Sequence, residues 1–157
     1  MANQIIKGLT MFMIVVALAF VTAVTSAYGQ STRETAKIPF EFVVGDKNLP
    51  AGEYAVGSIT ASGEALRVSS TEQNQSAARL TIPISRAKAE DKGKLVFRRY
   101  ANHYFLSEVW MPGETTGRQL LKSAQQKAIE NEMAAVTSKS DWAKKGYEII
   151  EVVAAVR

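Results

Sequence analysis

Lys94-Leu95-Val96-Phe97-Arg98-Arg99-Tyr100, then Ala101-Asn102-His103, then Tyr104-Phe105-Leu106-Ser107-Glu108-Val109-Trp110: this stretch reads as two strands joined by a tight turn. β-Branched and aromatic residues dominate both arms, and they suit a pleated surface, while the polar break between them supplies the reversal. With Asn102 and His103 as a two-residue loop, Arg99 faces Leu106, Phe97 faces Glu108 and Leu95 faces Trp110. Arg99, Tyr104, Glu108 and Trp110 then share one face, with Val96, Arg98, Tyr100, Phe105, Ser107 and Val109 on the other. His103 suits positive φ poorly, and a longer loop would slip the register by one and exchange the two sets. Aromatics on both faces predict a strand pair packed on both sides.

Working upstream, residues 36–44 alternate, with Ile38, Phe40, Phe42 and Val44 on one face, and read as a half-buried strand. Pro39 offers no N–H to a ladder, which places that strand at an edge or delays its pairing. A turn is expected at residues 45–48, a strand at 53–59 and a return strand at 65–70 with Leu66 and Val68 inward, after the turn dipeptide Ser62-Gly63. Ala78, Leu80, Ile82 and Ile84 resume the period of two, and residues 86–92 are a charged loop. Downstream, residues 111–117 are rich in turn formers. Residues 118–136 read as the one helix, through Leu121, Ala124, Ala128, Ile129, Met133 and Val136, and residues 147–156 as a closing strand. The fold class that follows is mostly β: an antiparallel sandwich or partly open barrel of about seven strands with one covering α-helix.

The amino terminus predicts export. Lys7 precedes an apolar run of residues 9–24, broken only by Thr10 and Thr22, and small residues follow at Thr25, Ser26, Ala27 and Gly29. As a helix that run rises about 24 Å, short of a hydrocarbon core of about 30 Å, so cleavage is expected rather than anchoring. The cut falls before Tyr28 or Gln30, with Gln30 preferred. This divides the chain into a secretory signal peptide at 1–29 and a single β-rich domain at 30–157, periplasmic or secreted, with no transmembrane anchor left after cleavage.

Composition excludes more than it identifies. The 157 residues hold no cysteine and one histidine, which rules out disulfides, thiol catalysis, cysteine-ligated metals and a histidine-cluster metal centre. Neither cofactor nor metal is expected. His103 sits at a hairpin tip, where a solvated turn residue is the simpler reading than a general base without an orienting partner. Ser107 and Glu108 are neighbours in a strand and point to opposite faces, and no Gly-x-Ser-x-Gly elbow exists. The formal charge is +4, from 19 basic and 15 acidic residues, but Lys88, Lys92 and Lys94 are interleaved with Glu90 and Asp91, and export separates the chain from cytosolic nucleic acid.

Ile38-Pro39-Phe40-Glu41-Phe42-Val43-Val44-Gly45, Leu49-Pro50-Ala51-Gly52-Glu53-Tyr54 and Leu95-Val96-Phe97-Arg98-Arg99-Tyr100 to Tyr104-Phe105-Leu106 resemble the pattern of a group of small exported bacterial proteins of unassigned function. The resemblance extends to Gly117-Arg118-Gln119-Leu120 and Ser123. It implies compartment and carries over no catalytic or ligand residue. The residues themselves leave two readings of the Arg99, Tyr104, Glu108 and Trp110 face: a ligand groove, or a partly buried ion pair beneath an aromatic rim. The function expected is a non-enzymatic envelope or secreted β-domain, structural or binding an envelope polymer or another envelope protein. The alternatives are an envelope hydrolase using strand-end carboxylates such as Glu41, Glu53, Glu108 or Glu114, and an adaptor pairing through an open edge such as the Pro39 strand.

Overall fold

Alternation of apolar and polar residues builds ten strands, which a computed structural model describes over residues 33–136 and 146–156. They are β1 (Arg33–Ile38), β2 (Phe42–Val44), β3 (Lys47–Leu49), β4 (Gly52–Ser58), β5 (Ala65–Ser70), β6 (Ser76–Ser85), β7 (Gly93–Tyr100), β8 (His103–Trp110), β9 (Thr116–Leu120) and β10 (Glu148–Val156), with one helix, α1 (Ala124–Val136), between the last two. The expected signal segment and its cut lie outside the described residues.

Eight of the strands close on themselves. Around the ring the order is β1-β4-β5-β6-β9-β8-β7-β10, every neighbour antiparallel, with β8 against β9 and β10 against β1 completing the circuit. The sandwich expectation is therefore corrected to a closed barrel. Closure depends on β6, whose first half pairs with β5 and whose second half pairs with β9, so one strand turns the corner between two neighbours. An eight-stranded barrel is just wide enough for side chains to fill. Here Ile38, Tyr54, Val56, Leu66, Val68, Leu95 and Phe97 do so, all fully or almost fully buried.

The strand expected at residues 36–44 is broken. Pro39 ends β1, and the chain restarts as β2, which forms a short hairpin with β3 through Gly45 at φ 65°. Val43 lies parallel beside Phe105 of β8, while Lys47 Nζ donates to the Ser76 carbonyl at 2.9 Å, so the hairpin reaches from β8 to the start of β6. Phe42, Val44 and Leu49 join the barrel core, where Phe42 meets Tyr54 and Phe97 edge to face at 5.0 and 5.5 Å. β1 pairs with β4 along its whole length on one side, whereas on the other it meets β10 only through Glu34 and Thr35, so the edge leading to Pro39 is without a ladder pair on that side among the described residues.

Two further readings change. Thr116–Leu120 is a strand, so α1 begins at Ala124 rather than at 118, where Ser123 Oγ accepts from the Gln126 N–H at 3.0 Å as an N-cap. Its inner face carries Gln126, Ile129, Glu130 and Met133, and Ile129 and Met133 pack on Val43, Tyr100 and Phe105 outside the barrel. The apolar row of β6 also faces outward: Leu80 is 59% exposed and Ile82 46%, while Ala77 and Thr81 of the alternate row are buried.

Candidate functional site at the β1–β10 seam

The structure divides the four residues of the expected groove into two pairs. The hairpin turn is Ala101-Asn102, with Ala101 at φ 50°, so Tyr100 faces His103, Arg99 faces Tyr104 and Phe97 faces Leu106. An irregularity between Val96 and Phe97 leaves Ser107 as an extra residue, after which Val96 faces Glu108 and Leu95 faces Val109. Arg99 and Tyr104 consequently sit on the interior row, and Glu108 and Trp110 on the outer one. The Arg99 guanidinium lies 5.4 Å from the Tyr104 ring, donates to the Ala101 carbonyl at 2.8 Å and pairs with Glu148 at 3.0 Å, while Phe40 stacks on Tyr104. Glu108 accepts from Trp110 Nε1 at 3.0 Å, and Arg86 covers the Trp110 ring at 3.5 Å. The four residues therefore share no face, and the ion pair expected between Arg99 and Glu108 is replaced by one between Arg99 and Glu148, while Glu108 is engaged by Trp110.

A different place in the barrel stands out. β1 pairs with β4 over six residue pairs and β10 with β7 over seven, but β1 and β10 join over only two, Glu34 with Val156 and Thr35 with Ala155. Beyond Thr35 the two strands diverge, and no ladder pair among the described residues links Lys37 to Val153. A groove of about 460 Å³ follows this splay, floored by Gly93, Ala154 and Pro112 and flanked by Lys37, Lys92 and Asp91. Strand edges that run past one another without a ladder offer N–H and C=O groups to a third segment.

Behind the groove floor lies Glu34. It is fully buried, on the interior row with Ala36 and Ile38, and neither carboxyl oxygen has a hydrogen-bond partner. Its carboxyl occupies the space over Gly93, where a Cβ would come within 2.2 to 2.4 Å of Oε2, Oε1 and Cδ. Burial first, and the nearby Glu114 charge second, push the carboxyl up to about 7. A carboxylic acid so displaced has the acidity of a general acid, but Glu34 does not line the groove and has no exposed surface, so a substrate there does not reach it. Among the described residues no group of three or more His, Asp or Glu is placed to hold a metal ion, and no helix is long and apolar enough to cross a membrane.

A second polar cluster fixes α1 to the barrel. Tyr100 donates its hydroxyl to Glu130, Gln126 Nε2 donates to the Tyr100 hydroxyl at 3.4 Å, and Lys122 Nζ meets Glu130 at 2.7 Å. Burial, with the Glu130 bond added, pushes the Tyr100 hydroxyl up to about 12. Burial pushes Glu130 upward, but hydrogen bonds from Lys122 and Tyr100 outweigh it and hold the carboxyl below its ordinary value. Every member is partnered, so the cluster is a fastening.

Comparison with protein families, with characterised proteins and with solved structures finds no match for the chain.

Proposed function

We propose that this protein is an exported, non-enzymatic binding domain of the bacterial envelope or its surroundings, and that its contact surface is the splayed β1–β10 seam. The observation that carries the reading is the seam itself: side chains pack the barrel core, and two of the strands part beside a groove, with no ladder pair between them beyond Thr35 among the described residues. The partner that fits is an extended polypeptide segment with acidic side chains. Main-chain groups of such a segment would pair along the parted strands, and Lys37 and Lys92 would receive its carboxylates. Export rests on the amino-terminal pattern and on the resemblance to small exported proteins.

A photoreactive residue at position 155, in protein expressed with its own leader, tests both halves. The reading expects a mature chain beginning near Gln30 and a crosslinked envelope protein whose yield falls at least fivefold in the Lys37→Glu/Lys92→Glu variant. A chain retained in the cytosol removes the export half. Adducts with a non-protein polymer, or protein adducts indifferent to the double charge reversal, remove the acidic-segment half.

A further inference from the structure

Three features coincide at one end of the barrel. The seam that closes it is held, among the described residues, by two pairs. One of those pairs contains Glu34, the only residue whose buried side-chain oxygens lack a partner among the described residues. Among the described residues the neighbouring strands present no cation to that carboxyl: β4 presents Val56, β7 presents Gly93 and β10 presents Ala154. Lys94, next to Gly93, is engaged on the outer face by Glu90 and Glu151. Arg118, on the interior row of β9, lies against Gly63. Among the described residues the charged group that acts on Glu34 is Glu114, which is itself acidic.

A neutral carboxyl without a hydrogen bond is a modest burden on a folded interior, whereas an unpaired carboxylate there is a severe one. The chain relieves that burden with the least loss where the fewest ladder bonds must break, and at Glu34 that is the seam it sits in. We infer that Glu34 makes the β1–β10 seam a pH-sensitive closure, shut while the carboxyl is protonated and opened locally when it ionises. Opening exposes the start of β1 and the last residues of β10 while β4 to β9 keep their pairing. This rests on the barrel geometry and on the burial of Glu34, and is independent of the partner proposed above.

Hydrogen exchange read by mass spectrometry on the isolated exported protein, corrected for intrinsic rates, tests it at pH 5 and pH 8. With Glu34 titrating near 7 when closed and near 4.5 when open, the opening constant for the seam residues Glu34, Thr35, Ala155 and Val156 should rise roughly 50- to 100-fold between the two pH values. Peptides from β4 and β5 should change less than threefold, and Glu34→Gln should abolish the rise at the seam. Equal seam protection at both pH values, an unchanged rise in Glu34→Gln, or a rise shared uniformly by all strands would overturn the inference. Infrared spectra of the unmodified protein give a second reading that needs no variant: a protonated-carboxyl band at pH 6 must fade by pH 8, and its absence at pH 6 also overturns the closure.

Discussion

Gly93 and Glu34 share a single volume, and neither can be understood without the other. The glycine is needed because its neighbour's carboxyl fills the place of its side chain, at 2.2 Å from the nearest oxygen. That carboxyl ends a flexible side chain, but it is wholly buried and has nowhere to swing. Gly93→Ala should therefore cost about 1 to 3 kcal/mol through overpacking. Combined with Glu34→Ala, the same methyl should be tolerated, giving a favourable coupling of at least about 1 kcal/mol in urea denaturation; additive losses would show that the two do not compete for space. The importance of Glu34 was half legible in the chain. Ile38 sets an inward parity that, stepped back through Ala36, lands on Glu34, but the polar run around Arg33 and Thr35 hides the strand's beginning. Lys37 and Lys92, by contrast, meet only through the divergence of two strands distant in sequence, which no local pattern encodes.

The elements that are read correctly from sequence are those whose packing is two-sided or regular, and the misread ones are those where a turn residue or a neighbour overrides the period. β7 and β8 are evident from their composition, yet their register turned on one unpaired residue, Ser107, and one positive φ, at Ala101. Leu121 and Ala124 extend a helical period backwards into Thr116–Leu120, but that segment finds β6 on one side and β8 on the other, and ladder pairing wins over a weak amphipathic stripe. The helix that remains buries only a narrow face, so its ends and its fastening matter more than its propensity. Ser123→Ala removes the N-cap and should cost about 1 kcal/mol. Tyr100→Phe keeps the ring contact with Phe105 at 5.8 Å but leaves Glu130 and Gln126 without the hydroxyl between barrel and helix. It should cost about 1 to 2 kcal/mol, and peptides from Ala124–Val136 should lose exchange protection before those from β7. Unchanged helix protection in Tyr100→Phe would mean that Ile129 and Met133 hold α1 by themselves.

For the whole molecule, the titrating groups bias the barrel toward mildly acidic conditions. Glu34 has a folded value raised to about 7 from 4.5, so its contribution is complete below 4.5 and is lost as pH climbs through 7, with nothing further lost above. Taken at full strength, that shift is worth up to about 3 kcal/mol, and local opening of the seam would reduce it. Glu130 runs the other way: held below its ordinary value by Lys122 and Tyr100, it stabilises above 4.5 and gives up that stability as pH falls through its folded value. Tyr100 reinforces the loss on the alkaline side. Its unfolded hydroxyl ionises near 10 while the folded one resists to about 12, so stability drops again once pH passes 10. The three together place the maximum near pH 5, on the acid side of neutrality, with a decline of about 2 to 3 kcal/mol by pH 8. Urea midpoints collected from pH 4 to pH 9 should trace that curve, and Glu34→Gln should flatten it between 5 and 8 by raising stability at pH 8 while leaving pH 5 nearly unchanged. A wild-type midpoint that rises from pH 5 to pH 8 would mean that Glu34 is ionised and partnered in solution, and that the barrel's interior is wetter at this end than its filled core implies.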